Sequence, residues 1–89
     1  MKVVYQGQIG AAVGLSEEDR EVFQGETVAE FIARLSRDKP ERVAKFLITE
    51  EGTVRSSLFV AVDGTHLTDL HGGLAEAGEL LLMPPMAGG

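Results

Sequence analysis

The stretch Thr27-Val-Ala-Glu-Phe-Ile-Ala-Arg-Leu35 carries the clearest structural signal in the sequence. Thr27 and Glu30 have the spacing of a capping box, in which two side chains satisfy backbone amides at the start of a helix. The apolar residues then recur at i, i+3, i+4 and i+7, the spacing of one helix face: Val28, Phe31, Ile32 and Leu35. This stretch predicts an amphipathic helix whose apolar face packs against a core.

A second helix start follows at Asp38. Pro40 stands at an early helical position, and Glu41 completes a second capping box with Asp38. Further apolar residues come next: Val43, Phe46 and Leu47. We therefore predict a helical middle region with a break near Asp38, ended by Glu51-Gly52.

Two strands are predicted before the helices. Residues 2–8 are rich in β formers and run into a loop that contains Gly7, Gly10 and Gly14. Residues 20–23 are predicted as a short second strand that pairs with the first. Ser16 with Asp19 is an alternative helix cap, but no 3.6-residue apolar pattern follows it.

Three strands are predicted after the helices. Residues 58–62 form the third strand, and Asp63-Gly64 favours a tight hairpin into Thr65–Leu67. Glu79–Met83 is nearly all apolar, as expected for a strand in the centre of a sheet.

This order predicts an α+β fold with a mixed sheet of four to five strands packed on one main helix plus a short second helix. That is the plan of a β-grasp, or ubiquitin-like, domain. We assign residues 1–83 to the domain and residues 84–89 to an extended C-terminal tail that ends in Gly-Gly.

Composition excludes several kinds of chemistry. The chain has 89 residues and no cysteine, so it fits one core and has no disulfide, thiolate metal site or cysteine nucleophile.

Its net charge of −6 opposes binding to nucleic acid. Five of the eight basic residues lie between Arg34 and Lys45, but Asp38 and Glu41 interleave with them, which favours an ordinary helix surface. Without a signal peptide or a membrane-length apolar run, a cytoplasmic location is expected.

No intrinsic catalytic, metal or cofactor site is predicted. His66 and His71, with Asp69 between them, are interpreted as exposed loop histidines. Residues 7–14 lack the glycine spacing and the Lys-Ser/Thr pair of a phosphate loop. No serine lies on a strand-to-helix elbow.

The C-terminal end is the most distinctive segment. Pro84 and Pro85 stop the last strand and hold the following residues extended. Gly88 and Gly89 have no side chains, so this tail could thread a narrow channel and present its α-carboxylate to another enzyme. A frayed, glycine-rich chain end is the alternative interpretation.

The chain resembles the MoaD/ThiS family of ubiquitin-like sulfur carrier proteins. The resemblance rests on the first strand Lys2-Val3-Val4-Tyr5, the turn at residues 74–80 and above all the Pro-Pro-x-x-Gly-Gly end at residues 84–89. That end looks most like the small subunit of molybdopterin synthase.

The resemblance implies a function carried by the chain terminus. In the family, a ThiF/MoeB-like adenylating enzyme uses ATP to activate the terminal carboxylate. The carboxylate then becomes a thiocarboxylate, which donates sulfur to a substrate held by a synthase partner. Gly89 would be the adenylate and thiocarboxylate site, and Gly88 would give access to it. The protein would be a carrier subunit of a sulfurtransferase complex such as molybdopterin synthase, with no cofactor bound by itself.

An apolar partner surface is also expected. The residues predicted to contact a partner, such as the molybdopterin synthase large subunit, are Tyr5, Phe59, Leu82, Met83, Pro84, Pro85, Met86 and Ala87. The acidic charge is consistent with steering towards a basic partner. A carrier for thiamine, cysteine, tRNA thiolation or a secondary metabolite remains an alternative, as do a ubiquitin-like modifier and a non-catalytic β-grasp binding module.

Overall fold

A computed structural model describes residues 1–74 and 76–84. The elements within this part of the chain are β1 (Lys2–Tyr5), α1 (Gln8–Val13), β2 (Glu17–Asp19), α2 (Val28–Arg37), α3 (Glu41–Leu47), β3 (Phe59–Val62), β4 (Thr65–Leu67) and β5 (Glu79–Met83).

The five strands form one mixed sheet in the order β2-β1-β5-β3-β4. β1 and β5 are parallel, and the other neighbouring strands are antiparallel. Leu82 lies opposite Tyr5 on one side and opposite Val60 on the other. The central position predicted for Glu79–Met83 is confirmed, as is the α+β β-grasp fold.

The core lies between the sheet and α2. The capping box at the start of α2 is present: Glu30 N donates to Thr27 Oγ1 at 3.1 Å, and Thr27 N donates to Glu30 Oε1 at 2.9 Å. The apolar face of α2 is buried, as predicted. It packs with buried residues from the sheet and from α1 and α3, including Val3, Ile9, Val43, Leu47, Val60, Leu80 and Leu82.

The hairpin between β3 and β4 also matches its prediction. Asp63 has φ 48° and Gly64 has φ 84°, the positive values that a tight two-residue connection requires. Asp63 Oδ1 accepts hydrogen bonds from the backbone N–H groups of Gly78 and Glu79, both at 3.0 Å. The hairpin is therefore tied to the start of β5.

The second strand lies earlier in the chain than predicted. The prediction of residues 20–23 is wrong, because Glu17–Asp19 pairs with β1 instead. The three acidic residues are tolerated because β2 is an edge strand. Glu17 and Asp19 are exposed, and the half-buried Glu18 carboxylate lies 2.8 Å from Lys39 Nζ.

Residues 8–13 form a helix where a loop was predicted. Gly14 ends α1 in the left-handed conformation, with φ 86°. Gly10 lies inside α1, where an added Cβ would stand 2.9 Å from the carbonyl oxygen of Tyr5. The glycines that suggested a loop thus allow a short helix to pack closely against β1.

The start of α3 differs from its prediction as well. Pro40, not Asp38, is the N-cap, and no side chain caps the helix. Asp38 instead ends α2 and pairs with Arg20. The helix ends at Leu47 rather than at Glu51-Gly52, because Ile48 is extended and pairs with Val54.

Candidate functional site

The described part of the predicted tail is Pro84 alone. The predictions for Pro85, Met86, Ala87, Gly88 and Gly89 lie outside the described residues. The described residues include the place where the tail leaves the domain and the sheet surface around it.

The tail leaves beside the corner between β1 and α1. Pro84 follows β5 directly and is buried. Gly7 lies against it, since a Cβ added to Gly7 would stand 3.3 Å from Pro84 Cδ. Gln6 N donates a hydrogen bond to Leu82 O at 2.9 Å, which continues the parallel pairing of β1 and β5 up to this point. We call Gln6, Gly7 and Pro84 the tail root.

The sheet has an apolar face on the side opposite α2. Side chains alternate along a strand, so the neighbours of the buried residues Leu80 and Leu82 point to this side. The strand register places Leu81 between Val4 and Ala61, and it places Met83 opposite Phe59. We call these five residues the outer face: Val4, Phe59, Ala61, Leu81 and Met83.

His66 extends the outer face to the β4 edge. It lies opposite Ala61, and its ring stacks on Phe59 with the centroids 4.4 Å apart and the planes 5° from parallel. His66 is exposed as expected, but it belongs to a strand and not to a loop. His71 is an exposed loop residue whose Nδ1 lies 2.9 Å from Asp69 Oδ1.

Two predicted partner contacts lie in the core. Tyr5 is 3% exposed and Leu82 is 0% exposed, so the expectation that they form an apolar surface is wrong. Both residues alternate with outer-face neighbours and point towards α2. Phe59 and Met83 are half-buried on the outer face, where a partner can reach them.

Tyr5 is also unsuited to acid–base chemistry. Burial, followed by the negative charge of Glu18, raises the pKa of the Tyr5 hydroxyl. The group therefore stays a neutral phenol at physiological pH. Within residues 1–74 and 76–84, no group of three or more His, Asp or Glu side chains is placed to hold a metal ion.

Charged residues border the outer face at the end away from the tail root. Lys2 Nζ lies 3.3 Å from Glu79 and 3.9 Å from Glu17, and Asp19 lies opposite Lys2 in the register. Two carboxylates close to the ammonium, with a third on the neighbouring strand, leave this border acidic. It favours a partner whose matching rim is basic.

Two basic residues between Arg34 and Lys45 are engaged within the chain. Arg34 donates to both carboxylate oxygens of Glu26, at 2.8 and 2.9 Å, and its guanidinium stacks on Phe23. Lys39 pairs with Glu18. At these two positions the positive charge is paired with a carboxylate of the domain itself.

A groove of about 810 Å³ lies between α2 and β4, away from the tail root. Apolar residues of both elements and of the segment before β3 line it, among them Ala29, Ala33, Leu58 and Leu67. Sequence reasoning missed this groove because its walls come from segments far apart in the chain.

None of the helices formed by the described residues is both long enough and apolar enough to span a bilayer.

The fold and the tail root together define a class, the ubiquitin-like β-grasp proteins whose last strand runs into a C-terminal tail. The ThiS family model matches residues 3–89, nearly the whole chain. The protein therefore belongs to the ThiS family.

Solved structures share the fold. The chain is similar to SAMP1 from Haloferax volcanii, with 20% identity over 99% of this chain and 97% of that one and a TM-score of 0.82. It is also similar to a putative molybdopterin converting factor, subunit 1, from Pyrococcus furiosus, with 22% identity over 96% and 95% of the two chains and a TM-score of 0.73. At these identities the likeness establishes the fold alone. No curated protein sequence matches the chain significantly.

Proposed function

We propose that this protein is a sulfur carrier whose C-terminal glycine is adenylated and converted to a thiocarboxylate, and that it serves molybdopterin biosynthesis. The observation that carries the proposal is the ThiS family match, which runs from β1 through Gly88 and Gly89. The likeness to a putative molybdopterin converting factor subunit supports the choice of pathway.

The chemistry requires little from the carrier itself. A carboxylate is a poor electrophile, and reaction of the Gly89 carboxylate with ATP gives an acyl adenylate and releases pyrophosphate. Hydrosulfide supplied at the partner's active site then attacks the acyl carbon, so that a C–S bond forms, the C–O bond to AMP breaks and the thiocarboxylate results. The carrier needs a terminus that reaches the partner's reactive centre, and this role is consistent with a chain that has no cysteine.

The outer face would dock the partners. Four of its five residues are half-buried and Ala61 is buried, so together they supply an apolar patch at the end of the sheet from which the tail leaves. Its acidic border favours the orientation in which a basic rim meets Glu17, Asp19 and Glu79. A ThiF/MoeB-like adenylating enzyme and a sulfur-accepting synthase, such as a molybdopterin synthase large subunit, would bind this surface in turn.

Intact mass spectrometry tests the proposal directly. The protein is incubated with ATP, a candidate adenylating enzyme and a sulfur source, and the expected product has one oxygen replaced by sulfur. A chain without Gly88 and Gly89 is the matched control, and it should stay unmodified although its domain is folded. If the full chain stays unmodified with adenylating enzymes of the molybdopterin, thiamine, cysteine and tRNA thiolation routes, the proposal is wrong.

The pathway needs a separate measurement. The thiocarboxylate form should restore molybdopterin formation when mixed with a molybdopterin synthase large subunit. Sulfur delivery only to a thiazole synthase or to a cysteine synthase would move the protein to another route.

Covalent protein modification is a second candidate function. It is favoured by the likeness to SAMP1 and to small archaeal modifier protein 1 of H. volcanii, the latter with 19% identity over 96% of this chain and 95% of that one and a TM-score of 0.81. A modifier would form an amide bond to a target lysine after the same activation. Denaturing gels of cell lysate would then show a ladder of conjugates that disappears when Gly88 and Gly89 are removed.

A further inference from the structure

Pro84 rests on a position where only glycine fits. Gly7 has φ 62° and ψ −141°, a combination that residues with a side chain avoid. A Cβ on Gly7 would also stand 3.3 Å from Pro84 Cδ and 3.4 Å from Cγ. The approach to Cδ is tighter than ordinary van der Waals contact, so the ring would have to move by a few tenths of an ångström. Two independent features of Gly7 therefore keep this place open for the proline ring.

The corner that holds Gly7 is fixed from several sides. Gln6 N bonds to Leu82 O at 2.9 Å, and Tyr5 N bonds to Ser16 O at 2.8 Å. Gly10 allows α1 to approach the Tyr5 carbonyl, since a Cβ there would lie 2.9 Å from the oxygen. The backbone beneath Pro84 is therefore held by hydrogen bonds to β5 and to the residue before β2.

We propose that Gly7 is a positioning residue for the tail. By leaving room for the Pro84 ring, it sets the direction in which the chain leaves the domain. That direction determines how often a docked partner finds the terminal carboxylate in its reactive centre. This inference rests on the proposed carrier function, and it places a requirement for activity outside the tail.

A change of direction at the tail root would displace later atoms of an extended tail by larger distances. Proline fixes φ, so the placement of the Pro84 ring constrains the backbone that follows. Gly89 is five residues further on, which allows an extended span of roughly 17 Å. In an extended tail, a small rotation at the tail root would move the carboxylate by a larger distance, and a displacement of about 1 Å at a reacting group costs up to roughly 100-fold in rate.

Gly7→Ala tests the idea, with Gly14→Ala as the matched control. The two glycines flank the same short helix, and both have positive φ, 62° and 86°. A Cβ on Gly14 meets nothing within 4 Å, whereas a Cβ on Gly7 meets Pro84. Both variants carry backbone strain, but the strain is larger at Gly7, whose ψ of −141° lies outside the left-handed helical region that Gly14 occupies. Only Gly7→Ala presses on the tail root, so the Pro84→Ala background is needed to separate this contact from the strain.

Steady-state adenylation, followed by pyrophosphate release, gives the first measurement. For Gly7→Ala we expect kcat to fall roughly tenfold, with KM unchanged because the outer face still docks. Gly14→Ala should have the kcat of the original protein once each rate is corrected for the folded fraction, which circular dichroism measures. In a Pro84→Ala background, which removes the two ring atoms that the new Cβ would meet, Gly7→Ala should cause no further loss. Equal kcat for Gly7→Ala and Gly14→Ala, or an undiminished loss in the Pro84→Ala background, overturns the inference.

A second measurement does not depend on activity. Because the chain has no cysteine, Ala87→Cys introduces a unique thiol for a nitroxide label. Nuclear magnetic resonance of domain amides then reports which surface lies near the label. Gly7→Ala and Pro84→Ala should each change the pattern of broadened amides, and Gly14→Ala should not. An identical pattern in all four proteins overturns the inference. If the pattern changes while no adenylating enzyme modifies the original chain, the carrier function is wrong and the positioning of the tail root stands.

Discussion

The inner and outer sides of β5 show how one short strand serves two purposes. Leu80 and Leu82 are 0% exposed and contribute to the core beneath α2. Leu81 and Met83 alternate with them and lie half-buried on the outer face. Leu80 and Leu82 therefore support folding, whereas Leu81 between them lies on the surface that a partner can contact. Substitutions on one side should damage folding, whereas substitutions on the other should damage only contact with a partner.

The largest effect is expected on the inner side. Leu82→Ala removes a fully buried side chain between Tyr5 and Val60 and should lower the free energy of unfolding by about 2–5 kcal/mol. Leu81→Ala, one position earlier, is the matched control and should cost clearly less. Urea denaturation measures both values, and equal losses would show that the two sides of β5 are not distinct.

Met83→Asp addresses the outer side. A charge at this half-buried position should leave the domain folded, because water still reaches the side chain. Binding to a sulfur-accepting or adenylating partner should weaken at least about tenfold, since a carboxylate would be desolvated in an apolar interface. Calorimetric titration measures the binding, and Met83→Leu is the control that keeps the surface apolar. If Met83→Asp does not fold, Met83 belongs to the core instead.

An ion pair between α2 and the segment before it sharpens the comparison, because its loss should lower stability as substitutions on the inner side do. Glu26 is 8% exposed and Arg34 is 21% exposed at their side chains, and the hydrogen bonds from Arg34 hold the pKa of Glu26 below its usual value. Since the folded-state pKa is the lower one, this contribution to stability is fully present above the unfolded pKa. It is lost as the pH falls through the folded value.

Glu26→Gln should therefore be less stable than the original protein by about 1–2 kcal/mol near neutral pH. The gap should begin to narrow as the pH falls below about 4.3, the unfolded value, and should close as the pH falls through the lower folded-state pKa. Thermal melts across this range measure it. A gap that stays constant with pH would mean that the carboxylate charge does not contribute.

The smallest effect is expected at the edge of the outer face. His66→Ala removes a ring that stacks on Phe59 in an exposed position, so the stability loss should be about 0.5 kcal/mol or less. If the stack is part of the docking surface, His66→Ala should reduce the free energy of partner binding by more than it reduces the free energy of unfolding. Thr65→Ala, on the same edge strand but directed to the other side, is the control for the binding measurement.

Local patterns explain which parts of the fold could be predicted. The capping box at Thr27 and Glu30, the apolar spacing of α2 and the Asp63-Gly64 hairpin depend on neighbours in sequence, and each matched the structure. The central position of β5 could also be predicted from the sequence, because Glu79–Met83 has apolar residues on both sides of the strand. The family resemblance agreed with the ThiS family match.

The errors arose where distant contacts decide the outcome. Glu17–Asp19 became β2 because β1 accepts an edge strand there and Lys39 neutralises Glu18. Residues 8–13 became helical because Gly10 fits against the Tyr5 carbonyl. The side to which Tyr5 and Leu82 point depends on register, which the sequence of a single strand does not encode. Gly7 could have been noticed only by knowing that Pro84 lies against it.

The position of β5 between β1 and β3 has a consequence for the order of folding. The parallel β1–β5 pair joins Lys2 to Glu79 and Tyr5 to Leu82, so it closes a loop that contains all the other elements. Such long-range closure carries an entropic cost and slows folding. A chain emerging from the ribosome cannot unite the β1–β2 pair with the β3–β4 pair until β5 has been synthesised. Formation of the native sheet is therefore a late event, coupled to synthesis of the strand that leads directly into the tail.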